Sequence, residues 1–200
     1  MPRPRTPVTK LLIAANVLAF VYEVARVGPA LLLGGGSLDR LVDAGALVPV
    51  LVRENGEYWR LVTGGFLHGS VLHIAVNMYS LYVLGRFVEA VAGSSRMAVV
   101  YAVSLVASSL AVVYFGGASE VTVGASGAIF GLFGALFAVG FKLGRAGIRL
   151  VQANVGILAL NLIITFTVPG ISRWGHVGGL VVGFLVAYGI FTRPHAGREA

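Results

Sequence analysis

The stretch VGASGAIFGLFGALFAVG, residues 123–140, decides how this chain folds. It carries no charge, and Ser126 is its only polar side chain. A helix crossing a bilayer needs about 20 mostly apolar residues, because nothing in hydrocarbon can satisfy a charged group or an open backbone. Residues 124–141 therefore read as a spanning segment. Working outward, comparable windows occur at about 8–27, 71–92, 96–115, 148–168 and 174–192. The expected fold is all-α: a polytopic membrane protein of six transmembrane helices, with a long, partly interfacial loop between the first and second. The windows nearly fill the chain, so residues 1–200 are expected to form a single membrane-embedded domain, with no soluble module at either end and no visible internal repeat.

Composition agrees. Hydrophobic residues make up 57% of the chain and charged ones 12%, where an ordinary soluble domain has about 25% charged residues. The formal net charge of +7 would suggest nucleic acid in a soluble protein, but here it reads through topology. With the N-terminus inside, ten basic residues fall on the cytoplasmic side: Arg3, Arg5, Lys10, Arg86, Arg96, Lys142, Arg145, Arg149, Arg193 and Arg198. Five fall outside: Arg26, Arg40, Arg53, Arg60 and Arg173. Lys and Arg near helix ends resist translocation, so both termini are expected in the cytoplasm, which suits an even number of spans. The opening MPRPRTPVTK and its apolar sequel share features with a signal peptide. No clear small-residue cleavage site follows Phe20, and removing the first span would break the charge pattern. The small size and bare termini favour a bacterial plasma membrane over an organelle membrane. The absence of cysteine removes disulfides, thiolate metal sites and cysteine nucleophiles.

The connection at about 28–66 is too polar to span, yet rich in Leu and Val. Ser37 is a candidate cap for a short helix ending at Gly45, Asn55-Gly56 reads as a tight turn, and Tyr58 and Trp59 suit the headgroup zone. Later loops are short, which makes neighbouring helices antiparallel. Gly127 and Gly131 are four apart, as are Gly175, Gly179 and Gly183, so each set lies along one helix face and lets backbones approach closely.

Polar groups inside a membrane need a partner or a task. His68, His73, Asn77, Ser126 and His176 stand out. In the expected topology His73 and Asn77 occupy the first turns of the second helix, Ser126 the first turn of the fourth and His176 the first turn of the sixth, all at one depth toward the outer face. A serine hydroxyl becomes a nucleophile when an adjacent base takes its proton, and histidine is the usual base. Ser126 and His176, on the two glycine-striped helices, are the natural pair. Attack on a carbonyl creates an oxyanion that needs preorganised donors. His73 and Asn77 share a helix face, and the Ser126 N–H lies at a helix start, where such groups lack an intrahelical partner. Glu23 and Glu89 lie near helix ends and are expected at the interface, so no acid is left to orient His176 and a dyad is expected.

These segments resemble a known family. GASGAIFG at 124–131 looks like the G-x-S-G motif of the rhomboid intramembrane serine proteases, HGSVLHIAVN at 68–77 resembles their H-x4-H-x3-N segment, and GHVGGLVVG at 175–183 is similar to their base-bearing last helix. YWR at 58–60 is similar to the tryptophan–arginine pair of their first loop. The resemblance runs through the chain from about residue 8. It implies Ser126 and His176 as the catalytic dyad, and His73, Asn77 and Ser126 as oxyanion binders. It further implies that His68 braces the region beneath the first loop. Phe130 stands where many members have a tyrosine packed on the histidine. The implied substrates are transmembrane segments with helix-weakening residues, entering near the second and fifth helices; the latter is comparatively polar, with Gln152, Asn154 and Asn161. No cofactor, metal or nucleic acid is implied.

Other chemistries fit less well. Asp39 and Asp43 both sit in the first loop, which excludes an intramembrane aspartyl pair, and neither His68 nor His73 is followed by Glu, which excludes an H-E-x-x-H site. A three-histidine zinc site is disfavoured because His68 and His73, five apart, do not share a helix face. A non-catalytic helix-binding relative would not need both Ser126 and His176. His195 and the tail PHAGREA read as solvated.

Overall fold

A computed structural model describes residues 5–191. The expected end of the last span at 192, the tail around His195, and Arg3, Arg193 and Arg198 of the charge tally lie outside the described residues. Ten α-helices follow in order among the described residues: α1 (Pro7–Val27), α2 (Leu38–Ala44), α3 (Pro49–Asn55), α4 (Arg60–Thr63), α5 (Val71–Ser80), α6 (Arg86–Ala92), α7 (Ser94–Phe115), α8 (Ser126–Lys142), α9 (Arg145–Thr167) and α10 (Arg173–Ile190). A π-turn over Leu81–Gly85 joins α5 to α6, so Val71–Ala92 forms one rod.

Five segments are long and apolar enough to cross a membrane: Pro7–Val27, Val71–Ala92, Ser94–Phe115, Gly147–Thr167 and Arg173–Ile190. The chain is thus an all-α, multi-pass membrane protein. The remaining expected span is α8, which has only 17 residues. At about 1.5 Å per residue it measures roughly 25 Å, short of the ~30 Å hydrocarbon layer. It starts at residue 126 rather than 124, because Gly124 holds a φ of +126° and Ala125 is the N-cap. Its length need not match lipid, since every residue from Gly127 to Gly140 is buried by protein.

Glycine makes that burial possible. A Cβ on Gly179 of α10 would collide with the carbonyl oxygen of Gly127, and one on Gly183 with that of Gly131. On another side of α8, Cβ atoms at Gly127 and Gly131 would strike Ser108 and Ser104 of α7. Backbone-to-backbone packing of this kind maximises dispersion contact where lipid supplies no hydrophobic drive between helices.

The two glutamates expected at the interface are buried instead, and both tie elements together. Glu89 of α6 accepts from the N–H of Val8 (2.9 Å), the N–H and hydroxyl of Thr9 (2.9 and 2.7 Å) and the hydroxyl of Ser94 (2.7 Å). It thereby satisfies orphan donors in the first turn of α1 from a different helix. Glu23 of α1 is 0% exposed and accepts the His68 N–H at 2.7 Å. Its burial follows from the first loop folding back over the end of α1: Val27, Leu31, Leu41, Ala44, Ala46 and Leu67 form one apolar cluster there.

That loop has more internal structure than an interfacial anchor. Ser37 and Gly45 bound α2, and Gly56, left-handed at φ +71°, ends α3. Arg60 is buried, with its guanidinium donating to Glu57 (2.6 Å) and to the carbonyls of Val42 (2.6 Å) and Ala46 (2.8 Å). Tyr58 and Trp59 remain exposed. Leu47 and Thr122 exchange backbone hydrogen bonds of 3.0 and 2.9 Å as an antiparallel bridge, and the Gly124 N–H donates to the Gly64 carbonyl at 2.9 Å. Through these bonds the loop fixes the segment that delivers Ser126.

Candidate active site

Ser126 is the first residue of α8 and His176 the fourth of α10. The glycine contacts bring these helix starts together, leaving Ser126 Oγ 2.7 Å from His176 Nε2. This is hydrogen-bond distance for a nucleophile and its base. Phe130, one turn into α8, stacks on the imidazole with centroids 4.1 Å apart and planes inclined by 14°. The packing expected at this position is present without a hydroxyl.

His73 and Asn77 come from α5. The Ser70 side chain accepts from the His73 N–H at 3.1 Å, capping the helix and fixing the register of both residues. The His73 ring lies against Gly124, where a Cβ would come within 2.8 Å of Nε2; together with its positive φ, this requires glycine at 124. Asn77 donates one amide N–H to the His73 carbonyl at 2.9 Å; a carboxamide has a second. His73, Asn77, Ser126, Phe130 and His176 all line one cavity of ≈ 500 Å³. Four of the residues expected to carry chemistry therefore meet around one space.

His68 sits behind this space. It is 0% exposed, its Nδ1 donates to the Phe66 carbonyl at 3.1 Å, and its ring meets that of His73 edge-on with centroids 5.0 Å apart. Burial, reinforced by the neighbouring His73, pushes its pKa down to about 3. Among the described residues, no three His, Cys, Asp or Glu side chains are grouped to hold a metal ion.

Sequence reasoning missed one member of the constellation. Thr165 of α9 is buried and lies 2.7 Å from His176 Nδ1. Nothing local marks it, because threonine in a spanning helix ordinarily bonds back to its own backbone, as Thr165 also does to Asn161 at 2.7 Å. Of the polar residues noted on this helix, Asn154 and Asn161 also donate back to their own helix, to Leu150 (2.9 Å) and Ile157 (2.8 Å), while Asn161 reaches the cavity wall.

Comparison with known proteins agrees with this geometry. The sequence model of the Rhomboid domain family matches residues 55–193. RHOMBOID-like protein 6, mitochondrial, of Arabidopsis thaliana is 28% identical over 99% of this chain and 64% of its own length. RHOMBOID-like protein 4 of the same plant is 33% identical over 89% of the chain and 45% of its own length. Rhomboid protease GluP of Bacillus subtilis (strain 168) is 36% identical over 90% of the chain and 34% of its own length. The chain thus spans between about one third and two thirds of these relatives.

Proposed function

We propose, from the premise that this chain belongs to the rhomboid family, that it is an intramembrane serine endopeptidase hydrolysing peptide bonds in or near the transmembrane segments of other membrane proteins. The observation that carries the reading is the 2.7 Å approach of Ser126 Oγ to His176 Nε2 at the wall of a cavity inside a multi-pass helical membrane protein.

In this mechanism Nε2 takes the hydroxyl proton as Oγ attacks the carbonyl carbon of the scissile bond. Negative charge develops on the carbonyl oxygen, and the Ser126 N–H, Asn77 and His73 are the donors available to it. The imidazolium then gives its proton to the leaving amine as the C–N bond breaks. Water, deprotonated by the same nitrogen, cleaves the acyl-enzyme and regenerates the hydroxyl. His68 and Phe130 act as structural supports, the first behind His73 and the second beneath His176. No metal or cofactor enters these steps.

The proposed architecture is one membrane-embedded domain over residues 1–200 with six crossings, the short α8 being the fourth in chain order. The ten-to-five distribution of basic residues supports both termini in the cytoplasm and an active site toward the outer face.

Labelling by a serine-directed fluorophosphonate in detergent or liposomes tests the reading. The adduct is expected at Ser126 and is expected to be lost in His176→Ala. An unlabelled wild-type protein that also fails to cleave transmembrane segments rejects it.

A further inference from the structure

We propose that Thr165 is a positioning residue that sets the tautomer and orientation of His176, and that by this contact α9 must be seated for the base to be competent. The inference rests on the Ser126–His176 reading above.

Proton accounting at Thr165 carries the argument. A threonine hydroxyl has one proton and two lone pairs. Its Oγ1 lies 2.7 Å from the Asn161 carbonyl and 2.7 Å from His176 Nδ1. A carbonyl only accepts, so the hydroxyl proton goes to Asn161, and the Nδ1 contact is filled by a proton carried on the imidazole. A neutral imidazole protonated on Nδ1 has an unprotonated Nε2. That is the nitrogen 2.7 Å from Ser126 Oγ, in the state required to accept the serine proton. A solvated neutral histidine side chain favours its proton on Nε2, so the contact opposes the intrinsic bias of the ring. When Nε2 gains its proton, the positive charge on the ring strengthens the Nδ1–H bond to Thr165, which favours the step. The chain runs from the Asn161 carbonyl through Thr165 and His176 to Ser126, and a neutral hydroxyl fills the place held by a carboxylate in a triad.

The setting of Thr165 ties this to α9. Among the described side chains of α9, Thr165 is the buried one, at 3% exposure, whereas Ile157, Leu160, Ile163 and Phe166 are all largely exposed. The crossing of Gly147 against Gly140 holds the other end of the helix. A displacement of the Thr165 end would break the Nδ1 bond and leave His176 free to change tautomer or turn on Phe130. α9 therefore carries a part of the catalytic geometry as well as a lipid-facing surface.

The test combines nitrogen NMR of ¹⁵N-histidine-labelled protein in bicelles with cleavage kinetics on a fluorogenic transmembrane peptide. Wild type should show His176 protonated on Nδ1; a neutral ring protonated on Nε2 in wild type overturns the proposal without any variant. Thr165→Val, nearly isosteric, should lose that signature and lower kcat by roughly 10–100-fold with KM little changed, less than removal of a triad carboxylate costs. Thr165→Ser should restore both. Unchanged tautomer and kcat in Thr165→Val overturn the proposal. Fluorophosphonate labelling separates the two readings: no label on wild-type Ser126 sinks the dyad itself, whereas equal labelling rates in wild type and Thr165→Val sink only the role of Thr165.

Discussion

Glu89 and Thr9, 80 residues apart, share two hydrogen bonds, one from the Thr9 N–H at 2.9 Å and one from its hydroxyl at 2.7 Å. The same carboxylate also holds Val8 and Ser94, so it joins the start of α1, the middle of α6 and the start of α7. Hydrogen bonds to a charged group contribute about 1.5–3 kcal/mol each, and removing one partner leaves buried donors unpaired. Glu89→Ala should therefore destabilise the protein by about 3 kcal/mol or more, read as a lowered midpoint of unfolding in mixed micelles. Glu89→Gln, which keeps acceptance by one oxygen only, should fall between. An unchanged midpoint in Glu89→Ala would show that α1 is held by apolar packing alone.

At the site, Ser126→Ala and His176→Ala are each expected to abolish cleavage of a transmembrane substrate while leaving the unfolding midpoint close to wild type. Asn77→Ala should retain measurable activity, reduced by up to roughly 10²-fold, because His73 and the Ser126 N–H remain as donors. Initial rates in proteoliposomes, normalised to folded protein, check this. Full activity in either dyad variant is incompatible with the mechanism.

What the sequence reveals and conceals follows from the range of each interaction. Apolar runs are local, so the spanning segments are legible, and the i, i+4 spacing of Gly127, Gly131, Gly175, Gly179 and Gly183 announces close helix contact. The pairing of Ser126 with His176 follows once those helix starts are brought together. Glu23, Glu89 and Arg60 were not legible as buried groups. Apart from Ser94 beside Glu89 and Glu57 beside Arg60, their partners lie 45, 80 or 81, and 14 or 18 residues away, among backbone groups and hydroxyls that carry no distinguishing pattern. The brevity of α8 was hidden for a related reason: hydropathy continues through Gly124 and Ala125, and only the left-handed backbone at Gly124 shows that the helix starts later.

The glycine contacts make a comparison possible within one residue type. Gly179→Ala places a methyl group against the carbonyl of Gly127, where both atoms belong to tightly packed backbones, so α8 and α10 must separate. Overpacking of this kind costs typically 1–3 kcal/mol, and here it also lengthens the Ser126–His176 approach. Gly156→Ala on α9 meets nothing within 4 Å and gains about 0.5–1 kcal/mol of helix preference. The first variant should lose stability and activity together; the second should match or exceed wild-type stability. Equal unfolding midpoints for the two would mean that the α8–α10 interface tolerates separation.

His68 gives stability a pH dependence whose direction follows from its burial. In the unfolded chain its imidazole titrates near 6.5, whereas in the fold burial, aided by the charge of His73, pushes it down to about 3. Between these values the unfolded state binds a proton that the folded state refuses, so the free energy of unfolding rises with pH. The contribution is complete above about 6.5 and is lost progressively as pH falls toward 3. His68→Gln preserves a donor for the Phe66 carbonyl and cannot titrate. Its unfolding midpoint, measured in detergent from pH 7 to pH 4, should fall less steeply with acidification than that of wild type, with the curves diverging below about pH 6.5. Parallel curves would show that the acid sensitivity of the fold comes from other groups and that His68 titrates alike in the folded and unfolded protein.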